Sequence, residues 1–523
     1  MLKKILIANR GEVALRIIRT CKEMGIKTVV VYPKGEDKEQ FLETRFANET
    51  YCLGEEGILG YLDQRKIIQI AKSSSSDAIH PGYGFLAENG SFADLCQKNG
   101  IKFIGPSGNI LRKVGNKVEA KKIAKECGLP LLSGISKAVK DEKEFLKIAK
   151  KIKPPFLLKA ANGGGGLGIQ IIEKDNKKEL LEIFSRLKRE TKSAFGSEEI
   201  FIEKFFKDPR HIEFQILGDG KGKVLHFGER ECSIQRRHQK IVEEAPSPFL
   251  DKKTREKMGK MTIKLGEKLK YESLGTVEFL VGGDKKFYFL EVNPRLQVEH
   301  PVTEAITGID LIKEQIKIAN GEKLELKQKD IKLSNWAMEF RIYAEDASDN
   351  FQPQEGLIKE YLPPGGKGVE VHSFCQPGQK IFPYFDCLIA KLVILAKNRK
   401  ECLQRAKRAF DEYIIEGVPT LIPFFKVLLE NQNFLEGDFS TAFIEKEKLI
   451  DILKEKHPRE KVSKITTKGE NEEDLARTIA QFYLEFKKEE GKKLETNKWR
   501  LSERIYPAPK FNRGSSWKYS GIE

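Results

Sequence analysis

The stretch Glu291-Val-Asn-Pro-Arg-Leu-Gln-Val-Glu-His-Pro301 constrains this chain more than any other. It follows Lys285-Lys-Phe-Tyr-Phe-Leu290, an alternating, aromatic-rich segment whose pattern predicts a strand. Side chains alternate along an extended backbone, so Glu291 and Asn293 share one face. Gly275-Thr-Val-Glu-Phe-Leu280 predicts a second strand carrying one acid, Glu278. Two carboxylates and an amide oxygen from neighbouring strands are hard oxygen donors, which suit Mg²⁺ beside nucleotide phosphates. Arg295, Gln297 and Glu299 continue the alternation. One strand-end Glu or Arg is ordinarily a solvated surface charge. An ordered set in the most strand-like part of a chain needs partners or ligands. It points to phosphoryl or acyl-phosphate chemistry.

The first hundred or so residues alternate strand and helix. Strands are expected at Lys3–Ala8, Thr28–Tyr32, Ala78–His80 and Lys102–Ile104. A helix is expected over Glu12–Met24, with Val13, Ile17, Cys21 and Met24 on one face. This is a doubly wound βαβ layout with a mostly parallel sheet. The turn Asn9-Arg10-Gly11-Glu12 lacks G-x-G-x-x-G, so a dinucleotide site is not supported. His80-Pro-Gly-Tyr-Gly-Phe85, at a strand end, suits a ligand crevice.

A helix starting at Lys117 ends at Cys127-Gly128-Leu-Pro130. A strand over Pro154–Ala160 then ends in Lys159 and feeds Asn162-Gly-Gly-Gly-Gly-Leu-Gly168, followed by the strand Ile169–Ile172. A Walker loop lies between strand and helix and carries G-K-[ST]; this loop does neither. Consecutive glycines lose much backbone entropy on ordering, so they make a poor structural turn. A flap whose bare N–H groups close over phosphates beside Lys159 explains them better. Glu199–Phe206 predicts another strand, an edge for a purine. A third, α+β block holds strands Trp336–Tyr343 and Leu388–Leu395, the turn Pro363-Pro-Gly-Gly366, and a helix over Lys400–Glu412. Beyond Leu449, Lys454–Asn471 is a charged linker. Leu475, Ile479, Phe482 and Phe486 then form a helical stripe that either docks a partner or packs on the third block.

Hydrophobic residues make up 40% and charged residues 33%, which describes a soluble globular protein. No apolar run is long enough for a bilayer, and the N-terminal apolar run is too short for a signal peptide. A cytoplasmic location is expected. The eight cysteines are scattered, without C-x-x-C, which argues against zinc, iron–sulfur and disulfide frameworks. The net charge of +16 comes with intermixed Lys and Glu and no aromatic-studded basic stripe. An anionic small substrate fits that balance better than nucleic acid.

These pieces together resemble the biotin carboxylases, which are ATP-grasp enzymes. The matching motifs are Ile7-Ala-Asn-Arg-Gly-Glu12, His80–Phe85, the glycine loop and Glu229-Arg-Glu-Cys-Ser-Ile-Gln-Arg-Arg-His-Gln-Lys240. They continue with Glu243-Glu-Ala-Pro246, Glu291–Thr303 and Phe340-Arg-Ile-Tyr-Ala-Glu-Asp346. The resemblance implies a Rossmann-like pre-ATP-grasp domain over 1–113 and an ATP-grasp domain over 114–330, with a lid near 130–204. A C-terminal biotin carboxylase domain over 331–449 and a linker with helical tail over 450–523 complete it.

By the same resemblance Lys117, Lys159 and His211 hold the ATP phosphates, and Gly165 and Gly166 close over them. Glu203, Lys204 and Phe206 line the adenine hinge, and Gln235 and His238 complete the nucleotide site. Glu278, Glu291 and Asn293 correspond to Mg²⁺ or Mn²⁺ ligands. Lys240, Arg295, Gln297 and Val298 correspond to bicarbonate-binding residues, with Glu299 as general base. Arg341 and Tyr83 face biotin. Asn162 and Leu167 depart from the family's usual glycine loop, which bears on lid closure and nucleotide affinity.

The implied partners are a biotin carrier protein or a carrier-bearing carboxyltransferase subunit, with the chain itself a homodimer. Another ATP-grasp ligase, such as a carbamoyl-phosphate synthetase half, would share the lysines, lid and metal acids. It is not expected to share Arg230–Lys240 followed by Arg295–His300 and Arg341. A silent scaffold would lack a metal ligand or the base, and none is missing.

Overall fold

In the computed structural model, residues 1–132, 138–160, 169–195 and 198–457 are described. The expectations for Gly165, Gly166, the rest of the glycine loop and the Leu475–Phe486 stripe lie outside them.

The chain opens with five strands: β1 (Lys4–Ile7), β2 (Lys27–Lys34), β3 (Glu49–Glu56), β4 (Ala78–His80) and β5 (Lys102–Phe103). They form an all-parallel sheet in the order β3-β2-β1-β4-β5. Ile5, Leu6 and Ile7 are all fully buried, because helices cover both faces of such a sheet. The helix Gly11–Glu23 buries Val13, Ile17 and Cys21 as its periodicity predicts.

The next unit is a three-stranded antiparallel sheet of β6 (Phe156–Ala160), β7 (Ile169–Ile172) and β8 (Ile200–Lys204). Helices Glu142–Ile152 and Lys177–Phe195 pack on it. Its core is its own: Phe145 stacks on Phe184 at 4.5 Å, above Phe156, Leu158, Ile200 and Ile202.

The main sheet has eight antiparallel strands. Five are β9 (Arg210–Asp219), β10 (Val224–Arg236), β11 (Gln239–Ala245), β12 (Glu272–Val281) and β13 (Phe287–Asn293). β14 (Trp336–Tyr343) follows, and the strands Leu388–Ala396 and Val369–Ser373 close the edge. The order is β13-β12-β9-β10-β11-β14, then Leu388–Ala396, then Val369–Ser373. β11 pairs with β14 from Val242↔Phe340 to Ala245↔Ala337, so the ATP-grasp strands and the third block share one hydrogen-bonded sheet. Phe410 of the helix Arg399–Glu412 meets Phe340 at 5.1 Å and Phe425 at 5.2 Å, and those two rings lie 5.4 Å apart.

One feature was not read from the sequence, and another differs from its expectation. The motif Glu229–Lys240 is a hairpin, β10 turning into β11 with Arg237 and His238 at positive φ. Its buried polar residues hide the strand pattern. The chain also continues past Leu449 as the helix Leu449–Lys456, so the first residues of the linker expected from Lys454 are helical. Leu449 and Leu453 are buried against the third block, and that apolar spacing holds the helix there.

Candidate active site

The candidate site lies on one face of the main sheet and is set by strand register. Glu213 on β9 stands opposite both Arg230 on β10 and Glu278 on β12, and Glu278 stands opposite Glu291 on β13. Side chains opposite one another share a face, so this row of charges is a direct product of the pairing.

Arg230 is fully buried. Its Nε donates to Glu213 Oε1 at 2.6 Å, and Nη1 donates to Gln215 at 2.7 Å and to Thr303 at 3.0 Å. Its Nη2 donates to Thr276 at 3.1 Å. A buried charge is tolerable only when paired and hydrogen-bonded in this way.

Lys240, near the start of β11, gathers three carboxylates. Its ammonium lies 2.5 Å from Glu213, 3.0 Å from Glu278 and 2.6 Å from Glu299. Burial alone would lower its pKa, but these three acids hold it well above the usual lysine range. Burial would likewise raise Glu299, yet Lys240, Arg341 and Arg230 keep it well below the usual carboxylate range. Arg341 Nη2 donates to Glu299 Oε2 at 3.0 Å and also pairs with Glu243. Burial pushes Glu243 up to about 7 despite that partner. Arg295 lies 2.5 Å from Glu88 and donates to Gln297 at 2.9 Å. The amide nitrogen of Gln297 and Nε of Arg341 are buried without a protein partner, so both donors are available to a bound ligand.

The expected metal residues lie together. Glu278 and Glu291 are cross-strand neighbours, and Asn293 Nδ2 donates to Glu278 at 2.7 Å. His211 Nε2 lies 3.0 Å from the other Glu278 oxygen. Burial and the Glu278 charge raise the Glu291 pKa, a repulsion that a divalent cation between the two carboxylates would relieve. The oxygen donors therefore fit Mg²⁺ or Mn²⁺. Among the described residues, His211, Glu213 and Glu278 also approach closely enough to share an ion.

The lysines expected to hold phosphates form a second group. Lys159 donates to Glu203 at 2.6 Å, and Lys121 pairs with the same carboxylate. Burial and the neighbouring Lys121 and Lys117 pull Lys159 down to about 8. Ammonium groups close enough to depress one another suit a polyanion. Lys117 opens the helix Lys117–Glu126. Phe206 follows β8 and meets Tyr288 edge-on at 5.2 Å.

Other expected residues are less tightly engaged. Lys204 turns away and donates to the Lys153 carbonyl at 2.9 Å. Gln235 is buried 3.5 Å from His211, whereas His238 is exposed on the β10–β11 turn. Val298 is half-buried beside Glu299. Tyr83 donates to Glu12.

Glu213, Glu88 and Lys121 were not singled out from the sequence, and Arg230 and Glu243 entered only within motifs, without a role of their own. His211-Ile-Glu213-Phe-Gln215 carries polar groups at period two, the same signal that marked Glu291 and Asn293. Lys121 lies one helical turn beyond Lys117.

Comparisons with known proteins agree with this geometry. "Biotin carboxylase, N-terminal domain" matches residues 1–111, and "Biotin carboxylase C-terminal domain" matches 339–446. "Carbamoyl-phosphate synthase L chain, ATP binding domain" matches residues 116–327. Biotin carboxylase 1 of Bacillus subtilis is 47% identical over 447 residues, covering 85% of this chain and 98% of that protein. The 2-oxoglutarate carboxylase small subunit of Hydrogenobacter thermophilus is 44% identical over 445 residues, covering 85% of this chain and 93% of that protein. A crystal structure of the biotin carboxylase domain dimer of the 2-oxoglutarate carboxylase from the same organism, in complex with MgADP, ADP and bicarbonate, superposes with a TM-score of 0.83. It is 43% identical and covers 86% of this chain and 98% of that one. The sheet order, the charged row and these matches along most of its length make this chain a member of the biotin carboxylase family.

Proposed function

We propose that this protein is an ATP-dependent ligase that carboxylates biotin, using bicarbonate, on a separate carrier. The observation that carries the reading is the Lys240–Glu299–Arg341 arrangement: one buried carboxylate held between two cations at 2.6 and 3.0 Å. Bicarbonate is a weak nucleophile and must lose a proton as it attacks the γ-phosphate. Glu299 accepts that proton. Lys240, Arg295 and the Gln297 amide hold the anion for attack and then hold the carboxyphosphate produced. Lys117, Lys159 and His211 bind the phosphates. Glu278, Glu291 and Asn293 hold Mg²⁺ or Mn²⁺, which neutralises charge on the transferred phosphoryl group. Carboxyphosphate breaks down to CO₂ and phosphate, and that phosphate takes the N1 proton of biotin. Arg341 stabilises the negative charge this leaves on the ureido oxygen until N1 bonds to CO₂.

The expected result is bicarbonate- and Mg²⁺-dependent phosphate release from ATP that accelerates when free biotin is added. ATP turnover indifferent to both bicarbonate and biotin would return the chain to the wider ATP-grasp ligases.

Support for a separate carrier is that no lysine of the sequence given is directly flanked by two methionines, the pattern of a biotinyl-lysine hairpin. The nearest approach, Met258-Gly-Lys-Met261, lies inside the helix Lys252–Leu269. A streptavidin blot of the chain co-expressed with a biotin ligase should be blank, and a covalent signal would sink this part of the reading.

A further inference from the structure

The turn Asn9-Arg10-Gly11-Glu12, which has no place in the nucleotide or bicarbonate chemistry, lies at the centre of a buried polar connection. Asn9 Nδ2 donates to the carbonyls of Pro81 and Tyr83, both at 2.7 Å, and so pins the loop after β4. One carboxylate oxygen of Glu12 accepts from the Tyr83 hydroxyl, and the other lies 3.1 Å from Lys391 Nζ. Lys391 is fully buried on the strand Leu388–Ala396 and donates to the Val298 carbonyl at 2.9 Å.

A single ion pair thus joins a helix of the first block, the Tyr83 loop, a strand of the third block and the peptide preceding Glu299. We infer that Glu12 and Lys391 are positioning residues that hold Tyr83 and the Val298–Glu299 peptide as the biotin-facing wall of the site. This rests on the reading of Tyr83 and Arg341 as biotin-facing.

Register gives a second reason for the arrangement. Lys391 stands directly opposite Arg341 across the antiparallel pair of β14 and Leu388–Ala396. Two cations so placed repel unless each has its own acid. Glu12 takes Lys391, while Glu299 and Glu243 take Arg341. The division leaves Arg341 Nε free of protein partners and turns the lysine towards the Val298 carbonyl. Peptide planarity carries that constraint into the backbone at Glu299. A bare structural ion pair would do none of this, and buried pairs can often be replaced by apolar side chains of similar size without loss of stability.

The test is Lys391→Met, compared with the double variant Glu12→Gln/Lys391→Met. The single variant leaves a buried carboxylate unpaired and is expected to be less stable. It is also expected to raise KM for free biotin tenfold or more and to raise KM for bicarbonate, through Val298, in the same direction. The nucleotide dissociation constant should stay within about twofold, because ATP is held by other strands. The double variant removes both charges. It should regain wild-type thermal stability while KM for biotin stays high. Recovery of both stability and biotin KM in the double variant would show a structural pair only and overturn the inference. So would an equal loss of nucleotide affinity in either variant. If the single variant does not fold, the double variant alone decides the question. If the wild-type enzyme ignores biotin, the functional reading fails, and that is seen before any variant is made.

Discussion

Glu299→Gln is expected to bind nucleotide normally and to lose bicarbonate-dependent ATP cleavage by about two to four orders of magnitude, the range that a general base contributes. Glu299 is fully buried, with Lys240 at 2.6 Å and Arg341 at 3.0 Å. An amide fills the same space but cannot take a proton. Nucleotide affinity, measured by calorimetry, should change little, because the lysines proposed to hold the phosphates lie on other elements. Retention of more than about a tenth of the turnover would remove Glu299 from the role of base.

The pH dependence has a definite sign. The folded-state pKa of Glu299 is depressed by Lys240, Arg341 and Arg230 against the opposing effect of burial. Its contribution to stability is therefore fully present above the unfolded pKa. It is lost as pH falls through the folded value. The wild-type acid-unfolding profile should carry this slope below the ordinary carboxylate range, and Glu299→Gln should flatten it.

Arg341→Ala should behave differently. Carboxylation of free biotin should fall by about two to three orders of magnitude, as expected when a charge-stabilising donor is lost. Bicarbonate-dependent ATP cleavage should fall far less. Removing the guanidinium also raises the pKa of Glu299, so the acid limb of ATP cleavage should move to higher pH. Glu243, already pushed up to about 7, should become largely protonated at neutral pH. Two buried carboxylates lose a partner, so a destabilisation of about 3–5 kcal/mol is expected in urea melts. Equal losses in ATP cleavage and biotin carboxylation would merge the two roles and contradict this division of labour.

What the sequence disclosed follows from the range of each signal. Glu278, Glu291 and Asn293 were legible because alternation within a strand is local and their strands are apolar enough to recognise. The helices Gly11–Glu23 and Lys117–Glu126 were legible for the same reason, the second with Gly128 in the left-handed region at its end. The convergence of three acids on Lys240 was not. They reach it from β9, from β12 and from the segment after β13, and only pairing register brings them together. Arg230 was recognised as part of a motif, but its bonds to Glu213, Gln215, Thr276 and Thr303 depend on three further elements. The joining of β11 to β14 was hidden because the hydrogen bonds on a strand's edge leave no mark in its side-chain pattern.

Because hydrogen bonding runs unbroken from β13 to Val369–Ser373, dividing the chain between β11 and β14 and expressing the halves separately would leave a bare strand edge on each, a template for aggregation. Either half made alone should therefore be insoluble, and co-expression of the two should restore solubility. The segment from Val139 to Lys204 obeys another rule. Its apolar core is built from its own residues, so it can be grafted as a cassette, carrying the glycine loop of one parent onto the catalytic sheet of another.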